Sequence, residues 1–318
     1  MSLNVRNTTA SAFAQIVYDI GFDVIELHSS AFESTDAGYL RDLKKDLARK
    51  GLPLGYIGVS NNFGRPVAEH PEQVALIKQW IDIAAFMSCP LVRVFAAYVP
   101  EDCDDEETLW PPMIEAFKEV AEYGYESGIL VGLQNHNHNN VTRDGAAVLR
   151  ALNETDHPYF THILDTGQFA GSPGASGHRG SSHPGYDCYA SIEQTAPHAV
   201  YVRTKFYQID SGVEEWLDYP RVLEILRGVD YNGCLSIVYE DSQMEKRRIL
   251  MLDINPKYLV NTKGRKTAVV LSMKEYRLLM KHLEDLEDIL EMDAAVETET
   301  ASRDYREIRA ELKKEGKL

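Results

Sequence analysis

The chain has 318 residues, enough for one large domain or for one large and one small domain. Its composition, 44% hydrophobic and 26% charged, is ordinary for a globular protein, and its formal net charge of −16 argues against general nucleic-acid affinity. No apolar run approaches the ~20 residues of a membrane span and no signal peptide is recognisable, so we expect a cytoplasmic protein. Four scattered cysteines indicate reduced thiols rather than a structural zinc site: Cys89, Cys103, Cys188 and Cys234.

Segments with helical and strand character alternate along most of the chain. The predicted helices cover residues 8–18, 37–49, 71–87, 113–127, 145–152, 187–195 and 219–227. The predicted strands cover residues 23–28, 54–59, 91–96, 129–134, 161–165, 199–206 and 234–240, with a strand remnant at 3–5. Glycines end several of the helices, as Gly21, Gly51 and Gly128 do. This alternation predicts βαβ units and therefore a parallel sheet.

Nearly every predicted strand ends in polar or charged residues. They are Glu26, His28, Asn61, Asn62, Arg93, Gln134, His136, Asp165, Lys205 and Glu240. A Rossmann-type sheet would instead carry a glycine-rich phosphate turn after its first strand, and no G-x-G-x-x-G or Walker pattern is present. Polar residues at many strand ends are typical of a (β/α)8 TIM barrel, whose active site lies at that face. The element count predicts a barrel that is incomplete at its first strand and its last helix.

The segment QNHNH at residues 134–138 follows the buried strand 129–134. Alternate residues of an extended chain share a face, so Gln134, His136 and His138 fall on one side and can surround a single point. A polar loop that happens to contain two histidines is the alternative.

The composition changes after Glu240. Two β-like runs around residues 257–260 and 267–271 predict a hairpin, and Ser272 can cap a long helix with leucines at helical spacing. We therefore predict a barrel over residues 1–243, a linker over 244–252 and a small α+β unit, a hairpin with helices, over 253–318.

The region from Gly21 to Glu240 resembles the xylose-isomerase-like sugar phosphate isomerase/epimerase family. The resemblance is carried by GFDVIEL at 21–27, LQNH at 133–136, LDTGQ at 164–168, VRTK at 202–205 and SIVYE at 236–240. It implies a TIM barrel and proton transfer on a hydroxy-carbonyl sugar or sugar phosphate, assisted by a divalent ion such as Mn²⁺, Mg²⁺, Co²⁺ or Zn²⁺.

The same resemblance implies which residues hold the metal ion. Asp165 and Glu240 keep the ligand types of the family, whereas Gln134 stands where the family often has Glu. Arg203 stands about where the family often has His. Losing a carboxylate and gaining a nearby cation both weaken the attraction for a divalent ion, although His136 or His138 could supply a ligand.

The resemblance assigns roles to the other strand-end residues. Glu240, His138 and Lys205 are the predicted catalytic groups. The predicted substrate-binding residues are Glu26, Asn62, Arg93, His136, Gln168 and Arg203. Each charged group also has a purely structural alternative: an ion pair of Arg203 or Lys205 with Asp165 or Glu240, a loop cap for Asp165, and an acceptor role for Glu26.

Residues 251–318 resemble the prevent-host-death (Phd/YefM-type) antitoxins. The matching segments are PKYLV at 256–260, GRKTAVVL at 264–271, EY at 275–276 and LEDL at 283–286. This resemblance implies a toxin protein as a partner and a homodimer, and it makes the chain a fusion. Two other functions compete with the isomerase: base-initiated cleavage of a keto-sugar glycoside, as in C-deglycosidases, and a non-catalytic barrel remnant attached to an antitoxin.

Overall fold

The computed structural model describes residues 2–3, 8–174, 185–209, 212–239, 257–260, 266–270 and 273. The chain divides into two compact units, Met1–Ser242 and Gln243–Leu318. The predicted linker and, apart from Met273, the predicted helices of the second unit lie outside the described residues. The predicted domain boundaries stay predictions.

The first unit is built on one parallel sheet. Its strands are β1 (Ser2–Leu3), β2 (Ile25–His28), β3 (Leu54–Gly58), β4 (Leu91–Val94), β5 (Leu130–Gln134), β6 (Phe160–Asp165), β7 (Ala199–Phe206) and β8 (Leu235–Tyr239). Within the described part of the chain the strand order is β1-β8-β7-β6-β5-β4-β3-β2. β1 has two residues, which pair with Val238 and Tyr239 of β8. The predicted TIM barrel with an incomplete first strand is confirmed.

Helices follow the strands as the alternation predicted. They are α1 (Ala10–Ile20), α2 (Ala37–Lys50), α3 (His70–Met87), α4 (Trp110–Ser127), α5 (Gly145–Thr155), α6 (Cys188–Thr195) and α7 (Tyr219–Gly228). Thr9 begins α1 by accepting a hydrogen bond from the backbone N–H of Ala12 at 3.2 Å. Gly21 ends it in the left-handed conformation, with φ of 89°, which glycine adopts without steric cost.

The lower part of the barrel interior is filled by side chains from β3, β4, β6 and β7. Tyr56, Leu91, Ile163 and Tyr201 form this cluster. The rings of Tyr56 and Tyr201 meet edge to face, with centroids 5.1 Å apart. Because β3 and β7 are four strands apart in the sheet, their side chains can meet only if the sheet curls around them. The alternation of side chains then places polar residues two positions further along these strands inside the barrel, at its C-terminal end.

The second unit contains the predicted hairpin. β9 (Lys257–Val260) pairs antiparallel with β10 (Lys266–Val270), and the register shifts between Lys266 and Ala268. Of the long helix predicted after Ser272, Met273 is the one described residue. None of the helices that the structure describes is long and apolar enough to cross a membrane.

Candidate active site at the carboxyl ends of the strands

Four buried polar side chains from β2, β5, β6 and β7 lie together at the C-terminal end of the barrel interior. They are Glu26, Gln134, Asp165 and Arg203, and we call them the polar centre. Arg203 Nη1 donates to Asp165 Oδ2 at 2.8 Å, and its Nε lies 3.5 Å from Glu26 Oε1. Gln134 Nε2 donates to the same Asp165 oxygen at 3.0 Å. The ion pair that the sequence left open for Arg203 and Asp165 is therefore present.

Asp165 is held in place through its backbone as well as its side chain. Asn135 accepts from the Asp165 backbone N–H at 2.8 Å and donates to the Asp165 carbonyl oxygen at 2.9 Å. The Gly167 N–H donates to Asp165 Oδ1 at 3.1 Å, so the Asp-Thr-Gly segment forms the loop cap that the sequence allowed. Asn135 and Asp165 are both fully buried. The role of Asp165 as a metal ligand stays a prediction.

Arg93 of β4 lies beside the polar centre and is itself buried. Its guanidinium lies 4.0 Å from the centroid of the Phe95 ring, and its Nη1 donates to the Val59 carbonyl at 3.1 Å. A Cβ on Gly58 would lie 2.6 Å from Arg93 Nη2, so glycine on the neighbouring strand leaves room for the guanidinium in this position. Burial lowers the pKa of the Arg93 guanidinium. Arg93 thus adds a positive charge next to Arg203, and its predicted contact with substrate stays a prediction.

Two histidines from the QNHNH segment form an aromatic cluster above the strands. The His136 ring contacts the rings of Phe95, Tyr98 and His138, with centroids 5.1, 5.5 and 4.6 Å away. His136 Nδ1 accepts from the His138 backbone N–H at 3.3 Å and lies 3.3 Å from His138 Nδ1. Burial and the positive charges around it lower the pKa of His136 to about 2, so its ring is neutral. His138 is exposed.

His28 is a site residue that the sequence assignment left out. Its Nδ1 accepts from the Ser30 backbone N–H at 3.1 Å, so the neutral ring carries its proton on Nε2, which donates to Ser60 Oγ at 2.8 Å. Burial and the positive charges of Arg93 and Arg203 lower the pKa of His28 to about 4. The signal was available, because His28 is two residues after Glu26 on the same strand face.

Two further predicted residues lie near the carboxyl ends of β6 and β7. Lys205 is 1% exposed, and the proximity of its charge is one of the causes that lower the pKa of His136. Gln168 is 4% exposed, and its Oε1 has no hydrogen-bond partner among the described residues. Glu240, predicted as both a metal ligand and a catalytic group, lies outside the described residues. The roles of all three stay predictions.

Asn62, predicted to bind substrate, connects two loops at this face. Its Oδ1 accepts from the Gly64 N–H at 2.8 Å and from the Tyr98 N–H at 3.0 Å. Asn61 makes a similar pair of bonds to the backbone of Phe95. These amides position the loops that carry the aromatic cluster. The substrate-binding role of Asn62 stays a prediction.

The loop junction at Gly64 leads to a stability prediction. A Cβ on Gly64 would lie 1.8 Å from the Tyr98 backbone oxygen, which cannot move aside as a flexible side chain could. We expect Gly64→Ala to lower the free energy of unfolding, measured by urea denaturation, by about 1–3 kcal/mol or more. Gly38→Ala is the control: a Cβ there meets nothing within 4 Å, and alanine favours helix α2. Equal stability of the two variants would contradict the prediction.

Comparison with known protein families identifies the fold family. The family described as xylose isomerase-like TIM barrel matches residues 14–257 of the 318. The chain belongs to the xylose isomerase-like TIM barrel family. This confirms the resemblance over residues 21–240 and, at the level of the family, the prediction of an isomerase- or epimerase-like chain. The match extends through the predicted linker, and the antitoxin resemblance of the remaining residues rests on sequence pattern alone.

Solved structures of other xylose isomerase-like barrels are similar to this one. The 3-keto-D-glucoside 4-epimerase from E. coli has a TM-score of 0.60 and 15% identity, covering 89% of this chain and 98% of that chain. D-psicose 3-epimerase with D-tagatose from Clostridium cellulolyticum H10 has a TM-score of 0.59 and 15% identity, covering 73% and 79%. A xylose isomerase-like protein from Mycobacterium smegmatis in complex with magnesium has a TM-score of 0.54 and 15% identity, covering 73% and 82%. A comparison with curated protein sequences gave no significant match.

The magnesium complex of that relative raises the question whether the present residues fit a divalent ion. Among the described residues, no group of three or more His, Cys, Asp or Glu side chains is placed to hold a metal ion. Asp165 Oδ2 already accepts hydrogen bonds from Arg203 and from Gln134. A fixed positive charge beside this carboxylate opposes a second cation. The described side chains therefore do not fit a divalent ion.

Proposed function

We propose that the chain is a sugar isomerase or epimerase that moves a proton on a carbon atom next to a carbonyl group. The observation that supports this most is the convergence of Glu26, Asp165 and Arg203 with the His136–His138 pair at the C-terminal end of a xylose isomerase-like barrel. This is the face at which TIM-barrel enzymes carry out their chemistry. Two of the structural relatives named above are epimerases, one of a 3-keto-D-glucoside and one of D-psicose, which favours a keto-sugar substrate here.

The proposed reaction begins when a base takes the proton from the carbon next to the carbonyl. The electron pair of the broken C–H bond moves towards the carbonyl oxygen and produces an enediolate. Return of a proton to the opposite face of the same carbon gives the epimer. Return of a proton to the former carbonyl carbon, with transfer of the hydroxyl proton to the former carbonyl oxygen, gives the isomer. No electrons are gained or lost overall. The carbonyl oxygen gains negative charge in this step, so cationic hydrogen-bond donors near that oxygen lower the activation free energy of the reaction.

We assign His138 to proton transfer because of its exposure and its contact with His136. His138 is open to solvent, whereas His136 is a neutral ring whose Nδ1 accepts the His138 N–H. That contact orients the His138 segment over the strand ends. Glu240 remains the proposed second base, and Lys205 the proposed group that stabilises the negative oxygen.

Deuterium exchange tests this function directly. The full chain is incubated in D2O with neutral ketohexoses, their phosphate esters and 3-keto-glucosides, and NMR follows loss of the C–H signal next to the carbonyl. We expect exchange with at least one class, and about 100-fold or more slower exchange in His138→Gln, the usual effect of losing a general acid or base. Lys118→Gln, an exposed helix substitution, is the control. Absence of exchange with every class, or cleavage of the glycoside instead, would contradict the proposal.

A separate proposal concerns residues 253–318, for which the antitoxin resemblance suggests a toxin protein as a partner and a homodimer. The antiparallel pair of β9 and β10 supports only the hairpin part of that pattern. Sedimentation equilibrium of the full chain measures the assembly state, and a monomer at all concentrations would contradict the homodimer. Cytoplasmic location likewise stays a prediction.

A further inference from the structure

We propose that the Arg203 guanidinium takes the place of a divalent metal ion in this chain, so that the polar centre functions without a bound metal. The Nη1 of Arg203 lies 2.8 Å from Asp165 Oδ2, and the Nε of Arg203 lies 3.5 Å from Glu26 Oε1. The guanidinium is therefore a single cation shared by two buried carboxylates from different strands, an arrangement in which a metal ion would also be shared.

The neighbouring Gln134 also suits a guanidinium better than a metal ion. Its Nε2 donates to Asp165 Oδ2, the oxygen already paired with Arg203. A glutamate at this position would add a negative ligand for a cation, but it would also repel Asp165 unless a cation lay between them. The amide instead supplies a second donor to the carboxylate. Gln134 and Arg203 together satisfy Asp165 with hydrogen bonds where a metal-binding site would keep a carboxylate oxygen available.

One of the four polar-centre atoms that have no hydrogen-bond partner among the described residues suits a sugar better than an ion. Gln134 Oε1 is buried and has no hydrogen-bond partner among the described residues. A neutral amide oxygen beside a guanidinium is a weak ligand for a metal ion, but it is a good hydrogen-bond acceptor for a hydroxyl group. We assign this oxygen to a hydroxyl of the substrate.

Arg203 differs from a metal ion in one useful respect. Guanidinium groups stay protonated in proteins, so the charge depends neither on pH nor on the supply of metal. Of the four residues in the polar centre Arg203 keeps the largest exposed fraction, 9%, against 3% for Glu26, 2% for Gln134 and 0% for Asp165. The exposed part of Arg203 can reach a substrate oxygen. In the reaction proposed above, on which this last step rests, Arg203 donates a hydrogen bond to the carbonyl oxygen as it becomes negative.

Equilibrium dialysis of the full chain against Mn²⁺ tests the proposal without any assay of activity. We expect the wild-type chain to bind Mn²⁺ no more tightly than Asp165→Asn, because binding to exposed acidic residues is the same in both. Stoichiometric binding by the wild-type chain that is lost in Asp165→Asn would overturn the proposal. This comparison holds whether or not other variants fold, since it requires only the wild-type chain and a near-isosteric change whose folding is checked by circular dichroism.

A second measurement tests whether Arg203 is the reason that the wild-type chain has no specific Mn²⁺ site. The double variant Gln134→Glu/Arg203→His restores an anionic ligand and an imidazole, and we expect it to bind Mn²⁺ at least 100-fold more tightly than the wild-type chain. The control double variant Gln134→Glu/Arg65→His carries the same changes with the histidine in a loop, in place of an arginine that forms an exposed pair with Glu69. Equal affinity in the two double variants would show that Arg203 does not occupy the metal position.

Failure of this proposal and failure of the proposed function give different results. If no sugar undergoes exchange, the catalytic assignment is wrong, but the Mn²⁺ dialysis still decides what Arg203 does. If exchange occurs and chelation with EDTA abolishes it, the enzyme function holds and the metal-free proposal is wrong. We expect exchange to continue unchanged in EDTA.

Discussion

Replacing Arg203 by methionine should lower the free energy of unfolding by about 3–5 kcal/mol, the usual cost of removing one partner from a buried ion pair. The substitution leaves the carboxylates of Glu26 and Asp165 buried, with 3% and 0% of their surface exposed, and without the guanidinium that lies between them. Methionine fills a similar volume, so the loss reports the missing charge rather than a cavity. Urea denaturation followed by circular dichroism measures the change.

Two further variants isolate the cause of this loss. Arg65→Met removes an arginine from an exposed pair with Glu69, whose side chains are 54% and 41% exposed, so its effect should stay within about 1 kcal/mol. The double variant Asp165→Asn/Arg203→Met removes a negative charge together with the positive one and should recover part of the stability. A loss in Arg203→Met no larger than in Arg65→Met would show that the buried pair contributes little.

The fold could be predicted because each of its signals is local. Apolar runs of five or six residues gave the strands, and helix ends such as Gly21 and Gly51 followed from the left-handed conformation that glycine permits. The two-residue β1 matches the weak apolar signal at the start of the chain. Helix α5 extends three residues beyond the predicted end, because Asp156 adopts the left-handed cap conformation that a glycine would more often supply.

The polar centre could be predicted only in part. Strand alternation indicates which side chains share a face, and in the structure Glu26, Asp165 and Arg203 lie together at one end of the barrel. It does not indicate which charges pair, because the partners are far apart in sequence and their distances depend on how the sheet closes. Asn62 shows a related ambiguity, since the residue types that bind sugar hydroxyls are also those that accept backbone N–H groups in loops.

Acid should destabilise the barrel through His162, a buried residue of β6. Its Nδ1 donates to the Leu133 carbonyl at 2.9 Å, whereas its Nε2 is buried with no hydrogen-bond partner among the described residues. Burial lowers the pKa of His162 from 6.5 to about 4. Between these values the unfolded chain binds a proton that the folded chain does not, so the contribution to stability is complete above about pH 6.5 and is lost as the pH falls towards 4.

The expected loss from His162 is about 2 kcal/mol on going from pH 7 to pH 5 and about 3 kcal/mol by pH 4, at 1.36 kcal/mol for each pH unit below 6.5. His28 and His136 titrate in the same direction, so the measurement compares variants rather than reading the wild-type curve alone. His162→Leu has no group at this position to take up the proton. From pH 7 to pH 4 its free energy of unfolding, measured by urea denaturation, should therefore fall by about 3 kcal/mol less than that of the wild-type chain. Parallel curves for His162→Leu and the wild-type chain would mean that His162 is not held neutral by its burial.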